Sequence, residues 1–250
     1  MLCNYHTHTK RCHHAVGEDR EYIENAIKTG VKVLGFSEHP PYIFDDGYNS
    51  FYRMDFEEID NYCFSILNLK KEYSKDIEIH LGFELEYYES MHEREMNFLK
   101  GFNPEYFILG QHYIFEERNG CYSQGLSNDI LFKQYINETI KGIKTGDFIY
   151  LAHPDLPGFR VSPSVYNTEY RRLLEVAKRH DMPIEINCYG MINNRCYPDR
   201  RLFELAEEVG NKVIIGIDAH NPNNICKQTY DNAHNLIKGL NLNLIEKLDI

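Results

Sequence analysis

Residues 30–39 read Gly-Val-Lys-Val-Leu-Gly-Phe-Ser-Glu-His, and their pattern recurs along the chain. Gly30 stands where a glycine commonly ends a helix, and the apolar residues after it are typical of a short buried strand. The strand pattern stops at Glu38 and His39, which carry an acid and a metal-binding imidazole. Similar runs lie at 2–6, 77–84, 106–111, 148–152, 183–188 and 213–217, so that, with 31–37, the sequence predicts seven strands.

Segments with helical spacing separate several of these strands. They lie at 20–29, 55–73, 130–144, 168–180 and 200–209. Gly210 directly precedes the last predicted strand, just as Gly30 directly precedes the second. Alternating strands and helices predict an α/β protein with a parallel sheet, either open or closed into a barrel. The charged segment 86–95 is expected to be a solvent-facing helix surface.

Composition excludes several classes of protein. The chain has 250 residues with a formal net charge of −11, and no linker or repeat divides it, so we expect one domain over 1–250. No apolar run is long enough for a membrane span, and the start lacks the layout of a signal peptide. Seven cysteines without a Cys-x-x-Cys pair favour a reducing cytoplasm. The negative charge disfavours binding of long nucleic acid.

Each predicted strand is followed by a side chain that can bind a metal or a polar group. The first strand leads into His6-Thr7-His8 and the last into Asp218-Ala219-His220. Glu84, His112 and His153 follow three of the others, and Glu185 and Asn187 lie near the end of the sixth. The carboxyl ends of parallel strands meet at one rim of a barrel, where the chemistry of such folds lies. Imidazoles with a few carboxylates suit Zn, Mn or Fe rather than Ca²⁺. The sequence therefore predicts a transition-metal site at this rim.

The spacing of these residues favours more than one ion. In a strand, residues i and i+2 point to the same face, so His6 and His8 can bind one ion. Glu84 ends an otherwise apolar strand and is the best candidate for a carboxylate that bridges two ions. Two or three divalent ions close together lower the pKa of a bound water and neutralise phosphoryl oxygens. Glu38 is expected to support the site without binding metal.

The ordered set of motifs resembles the polymerase-and-histidinol-phosphatase (PHP) family, and within it the monofunctional histidinol-phosphate phosphatase branch. The motifs are His6-Thr7-His8, His14, Ser37-Glu38-His39, Gly82-Phe83-Glu84, Gly110-Gln111-His112, Ala152-His153-Pro154-Asp155 and Asp218-Ala219-His220. The resemblance implies a distorted (β/α)7 barrel that holds two to three divalent transition-metal ions at the carboxyl ends of its strands.

The resemblance also implies how the ligands divide. One ion would take His6, His8, Glu84 and Asp218, a second would share Glu84 and take His112 and His153, and a third would take His14, His39 and His220. His14 is preferred over His13 because the family's ligand lies six residues after the second histidine of the first motif.

The implied activity is hydrolysis of a phosphomonoester, most specifically L-histidinol phosphate. Arg160 and Arg195 follow the fifth and sixth strands and are candidates for holding the phosphate, although each could be an ordinary surface arginine. Asp218 and His220, together with Arg160, are the candidate catalytic groups. Acids in the loops, namely Asp45, Asp46, Glu116, Glu117 and Asp155, are candidates for binding the substrate's ammonium group or are simply solvated. The alternatives are a nucleotide, an oligonucleotide end or phosphotyrosine as substrate, or a non-catalytic metal-binding accessory domain.

Overall fold

The computed structural model describes residues 2–158 and 160–250, and a parallel sheet forms its centre. Four hydrogen-bonded strands begin it in chain order: β1 (Leu2–Asn4), β2 (Val31–Glu38), β3 (Glu78–Leu85) and β4 (Tyr106–Leu109). A second group consists of β7 (Ile184–Asn187), β8 (Lys212–Gly216) and the short β9 (Asn243–Leu244). Between the groups in sequence, β5 (Tyr113–Ile114) and β6 (Cys121–Tyr122) form an antiparallel hairpin.

Single-residue bridges join the two groups into a barrel. Leu151 pairs with Leu109 of β4 on one side and with Ile184 of β7 on the other. Thr7, just after β1, pairs in parallel with Ala219, just after β8. The predicted α/β fold with a distorted barrel is confirmed. The predicted fifth strand at 148–152 lies between β4 and β7 and is bonded to both: the backbone N–H groups of Ile149 and Ala152 donate to β4, and that of Leu151 donates to Pro183, just before β7. It pairs as a short segment centred on Leu151 and does not extend into a regular strand.

Helices cover the outside of the sheet. They are α1 (Asp19–Thr29), α2 (Ile59–Glu72), α3 (His92–Lys100), α4 (Asp129–Thr145), α5 (Pro163–Arg179), α6 (Cys188–Ile192), α7 (Arg200–Val209) and α8 (Lys227–Leu236), with 3₁₀ turns at Lys10–Cys12, Phe56–Glu58 and Pro222–Asn224. Gly30 and Gly210 end α1 and α7 with φ of 87° and 81°, the left-handed conformation that glycine adopts without a Cβ clash. None of the described helices is long and apolar enough to cross a membrane.

The expectation that 86–95 forms a solvated helix surface is wrong. The helix begins only at His92, and both Glu86 and Glu95 are buried. Glu95 accepts a hydrogen bond from the backbone N–H of Ile43, and Glu86 accepts hydrogen bonds from side chains of other segments. A charge pattern does not reveal these partners, because they come from distant parts of the chain.

The inside of the barrel is filled toward the amino ends of the strands. The ring of Tyr106 lies against Gly82 of β3, where a Cβ atom would come within 2.5 Å of it. Its hydroxyl donates to the carbonyl oxygen of Tyr5 at 2.8 Å. Since this end of the barrel is packed, polar side chains can converge only at the carboxyl ends of the strands.

Candidate metal centre

Four side chains from three strand ends bring their ligand atoms together in the barrel. Nε2 of His6 and Nε2 of His8 lie 3.1 Å apart. Oε2 of Glu84 lies 3.2 Å from Nε2 of His6 and 3.3 Å from Nε2 of His8. Oδ1 of Asp218 lies 3.6 and 3.3 Å from the same two nitrogens. Ligands at about 2.0–2.1 Å from a tetrahedral Zn²⁺ are about 3.3–3.4 Å from one another, so this spacing is that of a metal coordination shell.

The oxygen atoms of this group need a cation. Oε2 of Glu84 and Oδ1 of Asp218 are buried, and neither forms a hydrogen bond with any described residue. Neighbouring imidazoles hold the pKa of both carboxyls well below the usual range, although burial by itself would raise it. Two buried carboxylate oxygens without donors are costly unless a cation sits between them and the imidazoles. The residues present therefore fit a divalent metal.

The second carboxylate oxygen of Glu84 faces a different pair of histidines. Oε1 lies 2.7 Å from Nε2 of His153 and 3.9 Å from Nε2 of His112. Glu84 thus places one oxygen in each of two groups of ligand atoms. This arrangement suits a carboxylate shared by two ions.

A third group lies on the other side of His8. The ring centres of His39 and His220 are each 4.3 Å from that of His8, and the His14 ring centre is 4.7 Å from that of His220. The pKa of His14 is lowered to about 4, first by the partial burial of its otherwise exposed side chain and then by the nearby histidines, so the ring is neutral and can bind metal. The neighbouring His13 is directed elsewhere, with its Nε2 3.9 Å from a carboxylate oxygen of Asp55.

The nine residues with predicted metal-binding roles therefore lie in one cluster. They are His6, His8, His14, His39, Glu84, His112, His153, Asp218 and His220. Groups of three or more such side chains with ligand atoms within 4.8 Å of one another include His6 with His8 and Glu84, and His8 with His39 and His220.

Three of the histidines are held from behind by carboxylates. Nδ1 of His6 donates to Glu185 at 2.8 Å, Nδ1 of His8 to Glu38 at 3.2 Å, and Nδ1 of His112 to Glu86 at 2.8 Å. Such a bond fixes the ring and leaves Nε2 free to bind metal. Glu38 supports the site as the sequence predicts. The sequence placed Glu185 at the rim without linking it to His6, and it missed Glu86 altogether, since no local signal marks either one as a partner of a particular histidine.

Two of the candidate ligand residues have an unfavourable backbone conformation. His153 has φ of 28° and Asp218 has φ of 53°, both unusual for residues other than glycine. Conformations of this kind cost about 1–3 kcal/mol each and cluster at functional sites, where the surrounding structure holds them. Both residues lie close to the carboxyl ends of their strands, within the candidate metal centre.

The cluster opens into a cavity of about 280 Å³. Its walls carry five tyrosines and two arginines: Tyr52, Tyr113, Tyr122, Tyr189, Tyr197, Arg53 and Arg195. Arg195 donates to Oε1 of Gln124, and its guanidinium lies 4.9 Å from the ring centre of Tyr189. Four acids, Glu84, Glu86, Glu117 and Asp218, also line the cavity, so cations at its base are needed before it can accept the anionic end of a small molecule.

The other predicted groups are placed differently. Arg160 is exposed and lines a neighbouring surface pocket beside Arg195 and Gln124, not the wall of the cavity itself. Among the loop acids, Asp155 is buried and accepts the backbone N–H of Asp199 at 2.5 Å, and burial raises its pKa to about 7. Glu117 is also buried and accepts from Nε of Arg53 at 2.8 Å. Both acids therefore have structural partners within the protein.

Comparison with known proteins gives the class of this fold and site. The model of the PHP domain matches residues 4–188, and the chain belongs to this family. A protein of Deinococcus radiodurans named "Probable histidinol-phosphatase" is 26% identical over 241 residues, which cover 90% of this chain and 88% of that protein. A protein of Schizosaccharomyces pombe with the same name is 25% identical over 256 residues, covering 90% and 82% of the two chains.

A solved structure has the same fold. The crystal structure of histidinol phosphate phosphatase from Lactococcus lactis, complexed with Zn, L-histidinol and phosphate, aligns with a TM-score of 0.74 at 17% identity. The alignment covers 100% of this chain and 99% of that one. At this identity the likeness concerns the fold.

Proposed function

We propose that this protein is a metal-dependent phosphomonoester hydrolase that converts L-histidinol phosphate to L-histidinol and phosphate. The observation that carries the hydrolase assignment is the coordination-shell spacing of His6, His8, Glu84 and Asp218 at the base of a small cavity. The choice of substrate is supported by the names of the relatives that align over most of both chains.

The proposed cofactor is a set of two to three divalent transition-metal ions, either Zn, Mn or Fe. The first ion would be held by His6, His8, Glu84 and Asp218, the second by Glu84, His112 and His153, and the third by His14, His39 and His220. Ions so bound lower the pKa of water toward neutrality and offset the charge of phosphoryl oxygens. Zn has the support of the Lactococcus lactis structure, which contains it.

Side chains on the cavity wall bind and orient the phosphate in this proposal. Arg195 presents a planar guanidinium that is already oriented by Gln124 and Tyr189, so little entropy is lost when it pairs with phosphate oxygens. Arg160 lies next to Arg195 and is proposed as a second phosphate-binding and catalytic group from the adjoining pocket. The two arginines counter the charge that accumulates on the phosphoryl group in the transition state.

Asp218 and His220 are the proposed sources of the proton that the leaving alkoxide needs. Nδ1 of His220 lies 3.2 Å from Oδ1 of Asp218, and both residues line the cavity. Both are proposed to deliver the proton from the base of the cavity. Because both residues are also proposed metal ligands, their substitution affects metal binding as well as proton transfer.

The partner is a small molecule in this proposal. The cavity of about 280 Å³ matches a small substrate better than a long polymer, and the net charge of −11 disfavours a polyanionic strand. All seven cysteines are free, which supports a reducing compartment such as the cytoplasm.

A metal analysis paired with a substrate panel tests the proposal. Protein purified without chelator should contain two to three transition-metal ions per chain, and exhaustive chelation should abolish phosphatase activity. The panel consists of histidinol phosphate, p-nitrophenyl phosphate, a mononucleotide and a phosphotyrosine peptide. We expect kcat/KM for histidinol phosphate to exceed the others at least tenfold. Full activity after demetallation would contradict a metal-dependent hydrolase. An equal kcat/KM on all four compounds would contradict histidinol phosphate as the substrate.

A further inference from the structure

Glu86, which supports His112, is held by an arginine from another part of the chain. Its Oε1 accepts from Nδ1 of His112 at 2.8 Å, and its Oε2 accepts from Nη2 of Arg53 at 2.6 Å. Glu86 and Arg53 are 3% and 2% exposed, so both charges are removed from water. A buried ion pair of this kind with good geometry keeps each partner in one position.

The other two supporting carboxylates are held in another way. Glu38 accepts from the backbone N–H groups of Thr9 and His39 at 2.6 and 2.9 Å. Glu185 accepts from the backbone N–H of His153 at 2.9 Å and from the Asn187 side chain at 2.8 Å. Each of these donors is either a candidate metal ligand, a neighbour of one in the chain, or a residue at the end of a strand. Only Glu86, of the three, takes its support from a cation on the segment between β2 and α2.

Arg53 is itself fixed on three sides. Its Nε donates to Glu117 at 2.8 Å, and its guanidinium lies 4.0 Å from the ring centre of Tyr42. The hydroxyl of Tyr42 in turn accepts from the backbone N–H of Glu86 at 2.9 Å. Arg53 also lines the cavity, next to Tyr52. The chain of contacts Glu117–Arg53–Glu86–His112 therefore runs from the cavity wall to a candidate metal ligand.

We propose that Arg53 is a positioning residue for the second metal site: it holds Glu86, and Glu86 holds the His112 ring with Nε2 directed toward Glu84. The inference rests on the proposed metal-dependent function. Without the guanidinium, Glu86 loses the partner of Oε2 and is free to rotate, and His112 then loses its fixed orientation. His6 and His8 keep Glu185 and Glu38, so the first metal site is not affected.

Metal affinity measured without substrate tests this assignment. The purified holoprotein is titrated with a competing chelator, and the ions that remain bound are counted for the wild type, Arg53→Gln and Arg53→Lys. We expect Arg53→Gln to bind one ion about 10–100-fold more weakly, the scale of losing a residue that orients a ligand, with the remaining ions unchanged. Arg53→Lys should lie between the two. Added metal should restore kcat in Arg53→Gln, a rescue that general loss of structure would not show.

Arg94→Lys is the matched control. Arg94 anchors the same segment through the carbonyl of Ile43 and the carboxylate of Asp45, but it belongs to a separate surface pocket. Its substitution should leave metal affinity unchanged. A similar loss in Arg94→Lys would show that the segment as a whole matters, and the specific role of Arg53 would be wrong.

A double-mutant cycle separates the chain of contacts from independent effects. Because Arg53 acts through Glu86, the Arg53→Gln/Glu86→Gln variant should lose no more affinity than the stronger single variant. Additive losses, unchanged metal affinity in Arg53→Gln, or loss of all ions together would each overturn the proposal. These results do not depend on which phosphomonoester is hydrolysed, whereas a wild-type protein that binds no divalent ion would contradict the proposed function itself.

Discussion

Gly110 lies directly against the carboxylate of Glu84: a Cβ atom on this glycine would be 1.9 Å from Oε1 and 2.6 Å from Cδ. Glu84 is buried, and its two oxygens face two different groups of histidines. The absence of a side chain at Gly110 thus leaves the space in which the shared carboxylate sits. Gly216 stands in the same relation to Glu185, with a Cβ atom 1.7 Å from Oε1.

Gly110→Ala should therefore displace Glu84 and weaken metal binding. We expect at least a tenfold loss of metal affinity and of kcat/KM, with an overpacking cost of about 1–3 kcal/mol in the free energy of unfolding. Metal analysis and urea unfolding measure the two effects. Gly101→Ala is the control, because its Cβ would meet only the Phe98 carbonyl oxygen at 3.1 Å, far from the metal centre. Normal metal content in Gly110→Ala would show that Glu84 can move without loss of function.

Glu84→Ala should release more metal than His39→Ala. A carboxylate with one oxygen in each of two ligand groups serves two ions, whereas His39 is proposed to bind the third ion only. We expect Glu84→Ala to lose two ions per chain and His39→Ala to lose one, as counted by elemental analysis after gel filtration. The loss of a single ion from both variants would contradict the bridge.

Arg195→Ala should reduce kcat/KM by about 10²-fold, the scale of removing one oriented donor to a developing oxyanion. The same substitution at Arg160 is also expected to lower kcat/KM by about 10²-fold if this exposed side chain reaches the phosphate from the neighbouring pocket. Steady-state kinetics on histidinol phosphate, with metal content as the control, measure both. Normal turnover by Arg160→Ala would leave Arg195 as the phosphate-binding arginine on this side of the cavity.

Glu105 should stabilise the fold in a pH-dependent manner at the opposite end of the barrel. Partial burial alone would raise the pKa of its carboxyl, but hydrogen bonds from His80, Lys70 and the Leu81 backbone lower it from 4.5 to about 2. A carboxyl whose folded-state pKa is depressed adds stability above pH 4.5, and this contribution is lost as the pH falls toward 2.

The Glu105→Gln variant measures this contribution. It should be less stable than the wild type at pH 7. The difference should shrink steadily between about pH 5 and pH 2, as the Glu105 carboxyl takes up a proton first in the unfolded chain and then in the folded protein. Urea unfolding at several pH values gives the difference, and Glu57→Gln, at an exposed position, is the control. A difference that stays constant over this range would mean that Glu105 is not ionically coupled to its neighbours.

The sequence determined the α/β architecture and, with the family resemblance of its motifs, predicted which residues make up the candidate metal centre. Alternating strand and helix patterns, with glycines at the ends of α1 and α7, are local signals, and they predict a parallel sheet correctly. Its closure into a distorted barrel was implied by the family resemblance of the motifs. The histidines and acids that follow the strands could be placed together because parallel strands end at a common rim. Neither inference requires knowledge of contacts between distant residues.

Apart from Glu38, only the tertiary structure decided how the candidate centre is supported. Arg53, Glu86 and His112 are separated by 33 and 26 positions in the chain, and their pairing depends on how three segments pack. The segment around Glu86 has the charge pattern of a solvated helix, yet its carboxylate is buried beside a cation. The space for Glu84 depends likewise on Gly110, a neighbour only after β3 and β4 have paired. The spacing of apolar residues along the sequence indicates which side of a helix or strand faces the core. The partner of a buried charge, in contrast, is set by how separate segments pack in three dimensions.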